Sequence, residues 1–268
     1  MTWPATGRLA IYALRQAVIV SLLAGTAAMT LLVVTQRRVI YPLGYGTRPT
    51  PASPRGYSTV RVDTPSGRLL VWRHAGLPGR PVLLFMHGNA TGIDGVAFIA
   101  RPFVDAGWSV VAPEYPGYPG SPGSPSETGL LHAARAGWRI AIEGRDPRDV
   151  LVMGNSIGSG PAIALAAETH PRGLAVVSGI ANLPQVVRRT FPFIPDLLVL
   201  DRYRNAETLA RVAAPVMVVH GRTDDIVDVS QGCALAESAH VALVETHGGH
   251  EIMGRRDIQT MVLKRFDR

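Results

Sequence analysis

The chain has 268 residues, of which 47% are apolar, so it is long enough for one well-buried domain and somewhat short for two. Its formal net charge of +7 would suit a nucleic acid or an anionic membrane, but the arginines are scattered and no basic cluster alternates with aromatic residues. Composition therefore argues against a nucleic-acid partner.

Lysine and cysteine are rare in this chain. Lys264 is the only lysine among 27 basic residues, which is typical of a GC-rich bacterial genome. Cys233 is the only cysteine, so neither an internal disulfide nor a cysteine metal cluster can form. It lies in the helical-looking stretch SQGCALAESA, where we expect a small buried residue.

The N-terminal region is the most apolar part of the chain. No charged residue occurs in residues 17–34, a run close to the ~20 residues that a helix needs to cross a bilayer. We expect residues 1–36 to form a single transmembrane anchor, because the run continues past Thr26 and Ala28, where a signal peptidase could cut, and stops only at Gln36-Arg37. A cleaved signal peptide is the alternative. The flanking arginines are too evenly divided to give the orientation in the membrane.

A stretch rich in Pro and Gly, residues 37–56, follows and predicts an extended linker to a catalytic domain of residues 57–268. Two strands around the turn Pro65-Ser66-Gly67 come first and predict an antiparallel pair. Six short apolar runs come next, in which apolar and polar residues do not alternate, as expected of strands covered on both faces. These runs are residues 82–86, 109–112, 150–153, 174–177, 216–219 and 241–244.

Helical patterns lie between these runs, at residues 93–106, 126–143, 157–169, 230–239 and 252–266. Ser124, Pro125 and Glu127 indicate a capping box at the start of the second helix. The alternation of strands and helices predicts an α/β fold with a mostly parallel, doubly wound sheet and helices on both faces. Residues 182–204 interrupt this alternation and are expected to form a short lid with an apolar wall.

Residues 154–158 read Gly-Asn-Ser-Ile-Gly, which matches the pattern G-x-S-x-G between a strand and a helix. The two glycines permit a sharp turn that lifts the hydroxyl of Ser156 above the sheet edge. The helix N-terminus behind the serine favours developing negative charge. We therefore expect Ser156 to be a nucleophile.

A serine hydroxyl needs a base to take its proton and a carboxylate to orient that base. Asp224 follows the penultimate strand and is the expected carboxylate, with Asp225 and Asp228 as alternatives. His250 follows the last strand and a pair of glycines, and it is the expected base, with His247 as the alternative. The order Ser, Asp, His along the chain is that of α/β-hydrolases.

An oxyanion hole must supply backbone N–H groups aimed at the tetrahedral intermediate. Residues 86–89, Met-His-Gly-Asn, follow a buried strand, so we expect the N–H groups of Asn89 and Ile157 to be the donors. His87 and His220 each precede a glycine at the end of a strand, and we interpret both as structural. The remaining histidines are isolated, so we expect neither a metal nor a cofactor.

Together these segments resemble the membrane-anchored α/β-hydrolases, a family whose animal members include protein depalmitoylases and whose many bacterial members are uncharacterised. The likeness runs from TQRRVIYP through FMHGNATG, EYPGYPGSPGSPSETGL, VMGNSIGSGPA and APVMVVHGRTDDIVD to GGHE. It implies the α/β-hydrolase fold and the triad Ser156, Asp224 and His250. Where members of the family usually have Asp-Tyr-Arg-Gly-Tyr-Gly, this chain has Glu-Tyr-Pro-Gly-Tyr-Pro at residues 114–119, so a specificity carried by that loop does not transfer.

These features predict hydrolysis of an ester or a thioester through an acyl-serine intermediate. The expected substrate is an acyl ester or thioester, such as a lipid or an acylated protein at the membrane. A peptidase or amidase of the same fold is one alternative, and a membrane-tethered interaction protein without catalysis is another. Ser156 stands where epoxide and haloalkane hydrolases need a carboxylate nucleophile, which disfavours both of those classes.

Overall fold

The computed structural model describes residues 5–45, 49–89 and 92–267. Several sequence predictions extend to positions outside these described residues: residues 1–4 of the anchor, residues 46–48 of the linker, Ala90 and Thr91 of the FMHGNATG motif, and Arg268 at the end of the domain. The chain divides into two compact units, Met1–Ile40 and Tyr41–Arg268.

The first unit is one long helix, α1 (Ala5–Ile40). Among the described residues it is the one helix that is long and apolar enough to cross a membrane. Large apolar side chains along it, such as Leu22 and Leu23, are exposed. Its length and composition fit a membrane anchor and a signal sequence alike.

The second unit is built on one sheet of eight strands. These are β1 (Tyr57–Thr64), β2 (Gly67–His74), β3 (Val82–Met86), β4 (Ser109–Pro113), β5 (Val150–Asn155), β6 (Gly173–Val177), β7 (Val216–Gly221) and β8 (Leu243–Thr246). Their order across the sheet is β1-β2-β4-β3-β5-β6-β7-β8. Strand β2 is antiparallel to both of its neighbours, and the other pairs are parallel. The predicted hairpin and the mostly parallel sheet are thus confirmed.

Helices cover both faces of the sheet, which is why the central strands are continuous apolar runs. Successive side chains of β3 point to opposite faces, so Leu83 and Phe85 join one apolar cluster while Leu84 and Met86 join the other. Every residue of β3, β4, β5 and β6 is buried. Each large apolar side chain contributes about 1.5–3 kcal/mol through removal from water, and this burial fixes the sheet.

The helices of the second unit are α2 (Val96–Ile99), α3 (Arg101–Asp105), α4 (Glu127–Ala141), α5 (Ser159–Glu168), α6 (Leu183–Thr190), α7 (Asn205–Leu209), α8 (Val229–Ser238) and α9 (Arg256–Phe266). The predicted continuous helix over residues 93–106 is wrong, because that segment is a 3₁₀ turn followed by α2 and α3. Pro102 has no N–H to donate to the preceding turn, and the helix breaks just before it.

Two further local predictions are corrected by the structure. The N-cap of α4 is Ser126, whose hydroxyl accepts a hydrogen bond from the N–H of Gly129, so the predicted cap at Ser124 is wrong. The carboxylate of Glu127 accepts instead from the N–H of Arg202, 2.6 Å away. Cys233 is exposed on α8, whose buried face is formed by other residues, so its predicted burial is wrong as well.

The predicted linker, residues 37–56, is divided between the two units. Its first residues end α1, and Pro42–Tyr45 form a 3₁₀ turn. Tyr41 is fully buried in the second unit, with its hydroxyl 2.9 Å from that of Tyr203. Gly44 packs so tightly that an added Cβ would lie 2.5 Å from Cγ of Pro125. The start of this segment therefore belongs to the packed domain.

Candidate active site

The serine of the G-x-S-x-G pattern lies in a sharp turn between β5 and α5. The turn is a single 3₁₀ element, Ser156–Gly158, and Ser156 has a φ of 53°, which is rare for a residue with a side chain. Such a conformation costs about 1–3 kcal/mol and persists only where its surroundings hold it. An added Cβ at Gly154 would lie 2.6 Å from the carbonyl oxygen of Gly158, and one at Gly158 would overlap that of Met86. Close packing on both sides therefore requires the two glycines.

The structure brings Ser156, His250 and Asp224 together as one hydrogen-bonded series. Nε2 of His250 lies 2.8 Å from Oγ of Ser156, and Nδ1 of His250 lies 2.8 Å from Oδ2 of Asp224. A carboxylate facing Nδ1 fixes the proton there, so Nε2 is left to accept the proton of the serine. The hydroxyl of Ser178 donates to the backbone carbonyl of His250, 3.0 Å away, which holds the histidine at the end of its loop.

Asp224 follows β7 and is held by backbone as well as side-chain groups. Its Oδ1 accepts from the N–H groups of Ile226, at 3.0 Å, and Val227, at 2.8 Å. Burial alone would raise the pKa of this carboxyl group. The hydrogen bonds from His220, His250 and Val227 outweigh burial and lower the pKa below its ordinary value. Asp224 is therefore ionised at neutral pH.

The alternatives to these residues lie elsewhere. Asp228 caps α8, where its carboxylate accepts from the N–H of Ser230, and it pairs with Arg189. Hydrogen bonds from these two residues lower its pKa to about 2. Asp225 and His247 are exposed. Both ring nitrogens of His250 are already taken by Asp224 and Ser156.

His220 is a second histidine beside Asp224, and its place in the site does not follow from the sequence. Its Nε2 lies 3.3 Å from Oδ2 of Asp224 and 2.8 Å from the carbonyl oxygen of Val227. Since a carbonyl only accepts, Nε2 carries the proton. Nδ1 is buried and has no hydrogen-bond partner within the described part of the chain. The one sequence signal for a histidine beside Asp224 is the His-Gly pair at the end of β7, four residues before Asp224.

The loop that follows β3 passes directly against the nucleophile turn. An added Cβ at Gly88 would lie 3.5 Å from Cβ of Ser156 and 2.8 Å from Nδ2 of Asn155. Asn89 is the next residue of this loop, and Ile157 follows Ser156 in the turn. Both backbone segments that the sequence predicts as sources of oxyanion donors are thus next to the serine.

A buried polar network lies behind this loop. Oε1 of Glu114, at the end of β4, is 2.9 Å from Nε2 of His87, and both side chains are fully enclosed. The hydroxyl of Tyr115 donates to the carbonyl oxygen of His87, 2.7 Å away, and the hydroxyl of Tyr118 donates to Oδ1 of Asn89. The segment of residues 114–118 therefore contacts the loop that follows β3.

The expected lid, residues 182–204, contains α6 and a 3₁₀ turn, Asp196–Leu198. It follows β6 and therefore starts at the same edge of the sheet as Ser156. The ion pair between Arg189 and Asp228 joins it to the loop between β7 and α8, which also contains Asp224. Three large apolar side chains are exposed on it: Phe193, Leu197 and Leu200.

No group of three or more His, Cys, Asp or Glu side chains able to hold a metal ion occurs among the residues that the structure describes. The chemistry available at the site is that of the serine, the imidazole, the carboxylate and the neighbouring backbone N–H groups. Such a set performs nucleophilic attack on a carbonyl carbon and stabilises the resulting oxyanion.

The chain is similar to several known proteins. Residues 81–205 match the family model described as alpha/beta hydrolase fold. An uncharacterised protein of Mycobacterium tuberculosis strain CDC 1551 is 35% identical over 225 residues, which cover 81% of this chain and 80% of that protein. Human alpha/beta hydrolase domain-containing protein 17B is 29% identical over 159 residues, which cover 58% of this chain and 54% of that protein.

A solved structure shows the same fold at low sequence identity. The Pyrococcus furiosus esterase Pf2001 superimposes with a TM-score of 0.66 at 18% identity, covering 83% of this chain and 99% of the esterase. Identity at this level supports a shared architecture, and the activity has to be argued from the site.

Proposed function

Because the chain belongs to the α/β-hydrolase family, we propose that it is a serine hydrolase that cleaves carboxylic ester or thioester bonds through an acyl intermediate on Ser156. The observation that carries this proposal is the series Asp224–His250–Ser156, with 2.8 Å at each of its two hydrogen bonds. A nucleophile, a base and an orienting carboxylate in this geometry are the parts that acyl transfer requires.

The proposed reaction has two steps. Nε2 of His250 takes the proton of Ser156 as Oγ attacks the acyl carbonyl carbon, and Asp224 stabilises the imidazolium that forms. The N–H groups of Asn89 and Ile157 bind the oxyanion. His250 then gives its proton to the leaving alcohol or thiol. In the second step water loses a proton to His250 and attacks the acyl-serine, which releases the acid and restores the hydroxyl.

We propose that the acyl group is carried by a lipid or an acylated protein. The exposed side chains of Phe193, Leu197 and Leu200 on the lid favour an apolar substrate. We propose also that α1 stays in the mature protein as a single membrane anchor, in which case membrane-borne acyl groups are at high local concentration around the domain.

Labelling with a fluorophosphonate probe tests the nucleophile. The full-length protein should be labelled, and Ser156→Ala should not be. Ser58→Ala is the matched control, because Ser58 lies on β1 at the far edge of the sheet and should leave labelling unchanged. Equal labelling of Ser156→Ala and the wild type would refute the assignment.

Turnover of small chromogenic substrates tests the reaction class. The wild type should hydrolyse p-nitrophenyl esters faster than aminoacyl anilides, and the dependence on acyl chain length should report the acyl site. A preference for the anilides would favour a peptidase or amidase. Absence of both turnover and labelling in the wild type would favour an interaction protein without catalysis.

Fractionation tests the anchor. Retention in the membrane after an alkaline carbonate wash, with an intact N-terminus by mass, is the expected result. Release into the soluble fraction with a new N-terminus near Met29 would identify α1 as a signal sequence.

A further inference from the structure

The buried carboxylate of Glu114 contacts residues on both sides of Asn89, the proposed oxyanion donor. Oε1 of Glu114 is 2.9 Å from Nε2 of His87, at the start of the loop that follows β3, and Oε2 accepts from the N–H of Ile93, 3.1 Å away, just after its end. Oε1 also accepts from the N–H of Tyr115 at 2.9 Å, which fixes the orientation of the carboxyl group.

Glu114 and His87 are joined by one hydrogen bond. Nε2 of His87 lies 2.9 Å from Oε1 of Glu114 and both side chains are fully enclosed, so a proton lies between the two atoms. Water does not compete for a hydrogen bond in such a site. The pair is therefore an enclosed link between the loop and β4.

Tyr118 holds the middle of the same loop. Its hydroxyl donates to Oδ1 of Asn89, and its ring is buried at right angles to that of Tyr115, with 5.4 Å between ring centroids. The ring of Tyr115 in turn lies 4.2 Å from that of His87. The loop is thus held at both ends by Glu114 and in between by Tyr118.

We propose that Glu114 and Tyr118 are positioning residues for the oxyanion hole: through His87, Asn89 and Ile93 they hold the backbone so that the N–H of Asn89 is directed at the oxyanion formed at Ser156. This inference rests on the proposed hydrolase function. It assigns a role to two residues of the segment 114–119.

Tyr118→Phe is the sharpest test, because it removes one hydroxyl and keeps the buried ring. The full-length variant should lose about tenfold in kcat for a soluble p-nitrophenyl ester, with KM within about twofold of the wild type. Loss of a whole oxyanion donor costs about 10²–10³ in kcat, and a misplaced donor should cost a part of that. Affinity for a trifluoromethyl ketone, which forms an oxyanion on the enzyme, should fall by the same factor.

Tyr57→Phe is the matched control. The hydroxyl of Tyr57 has no hydrogen-bond partner among the described residues, so its removal should leave kcat, KM and inhibitor affinity unchanged. Glu114→Gln provides a second variant, because its amide can donate to a neutral His87 in nearly the same volume. It should keep more activity than Glu114→Ala.

The outcomes separate the two proposals. If the wild type hydrolyses esters and Tyr118→Phe keeps kcat and inhibitor affinity within twofold, the positioning role is wrong. It is wrong also if kcat falls only in proportion to the fraction of folded protein, measured by thermal unfolding. If the wild type is neither labelled at Ser156 nor active on esters, the proposed function fails, and the positioning role fails with it.

Discussion

The hydroxyl of Tyr41 donates a hydrogen bond to Oδ2 of Asp201, 3.2 Å away and 160 residues further along the chain. Tyr41 is the first residue after α1, and Asp201 directly follows the exposed Leu200 in residues 182–204, the expected lid. The end of this segment and the start of the domain therefore share one buried polar contact.

Replacement of Tyr41 by Phe should weaken the domain measurably. The change removes the two buried hydrogen bonds of the Tyr41 hydroxyl, with Asp201 and with Tyr203, at a cost of about 1–2 kcal/mol in the free energy of unfolding. In a domain of this size the midpoint temperature of thermal unfolding should fall by about 2–8 °C. Thermal unfolding of the full-length protein in detergent measures this. Tyr12→Phe, on the exposed surface of α1, should not shift the midpoint, and equal midpoints for the two variants would contradict the prediction.

Truncation should place the boundary of the folded domain at Tyr41. A chain that begins at Tyr41 retains its hydrogen bonds and the packing of Gly44 on Pro125, whereas a chain that begins at Tyr57 loses both. We expect the longer chain to be the more stable, by more than the effect of Tyr41→Phe. Denaturant unfolding of the two truncated chains decides this, and equal stability would place the boundary at Tyr57.

Gly154→Ala should disrupt the nucleophile turn. The added methyl would lie 2.6 Å from the carbonyl oxygen of Gly158 and 2.7 Å from Cβ of Ala162, both of them inside the packed core. Overpacking of this kind costs about 1–3 kcal/mol. Gly254→Ala is the control, because nothing lies within 4 Å of its added Cβ. Unfolding midpoints and fluorophosphonate labelling should fall for the first variant alone.

Asp224 should make the free energy of unfolding depend on pH in the acidic range. Its pKa is lowered in the folded state, so the stabilisation is fully present above the ordinary pKa near 3.9 and is lost as the pH falls below that value. Asp224→Asn removes this titration, so its stability should decrease less steeply than that of the wild type between pH 6 and pH 3. Urea unfolding at each pH measures the slope. Asp225→Asn should follow the wild type, and a wild-type slope for Asp224→Asn would contradict the assignment.

Cys233 should react in the native protein. It is exposed on α8 and is the only cysteine, so a maleimide should add once without denaturant. Labelling should leave ester hydrolysis unchanged, because Cys233 lies outside the buried face of α8. Mass measurement before and after addition of urea checks this, and a label that appears only in urea would contradict the exposure.

The parts of the fold that the sequence predicts are those with short-range causes. Residues 82–86 are all apolar, as expected of a strand that helices cover on both faces of the sheet. The nucleophile turn is predicted by Gly154 and Gly158, which lie within one run of five residues. Asp224 and His250 are predicted by their positions after strands, since strand ends share one edge of the sheet.

Features that depend on distant contacts could not be predicted. The burial of Tyr41 depends on Asp201 and Tyr203, which lie far along the chain. Cys233 occurs in an apolar stretch, and only the packing of α8 shows that it faces solvent. The pairing of His87 with Glu114 joins residues 27 apart through the fold.

The separation of Ser156 and His250 along the chain, 94 residues, has a consequence during protein synthesis. When the ribosome has added residue 249, the nascent chain contains the whole nucleophile turn but lacks the imidazole of His250 that would activate it. Strand β7, which Asp224 follows, and the edge strand β8 both precede His250, so the proposed base is made only after all eight strands. Under the proposed mechanism, an incomplete product therefore carries an unactivated hydroxyl and should not attack acyl groups.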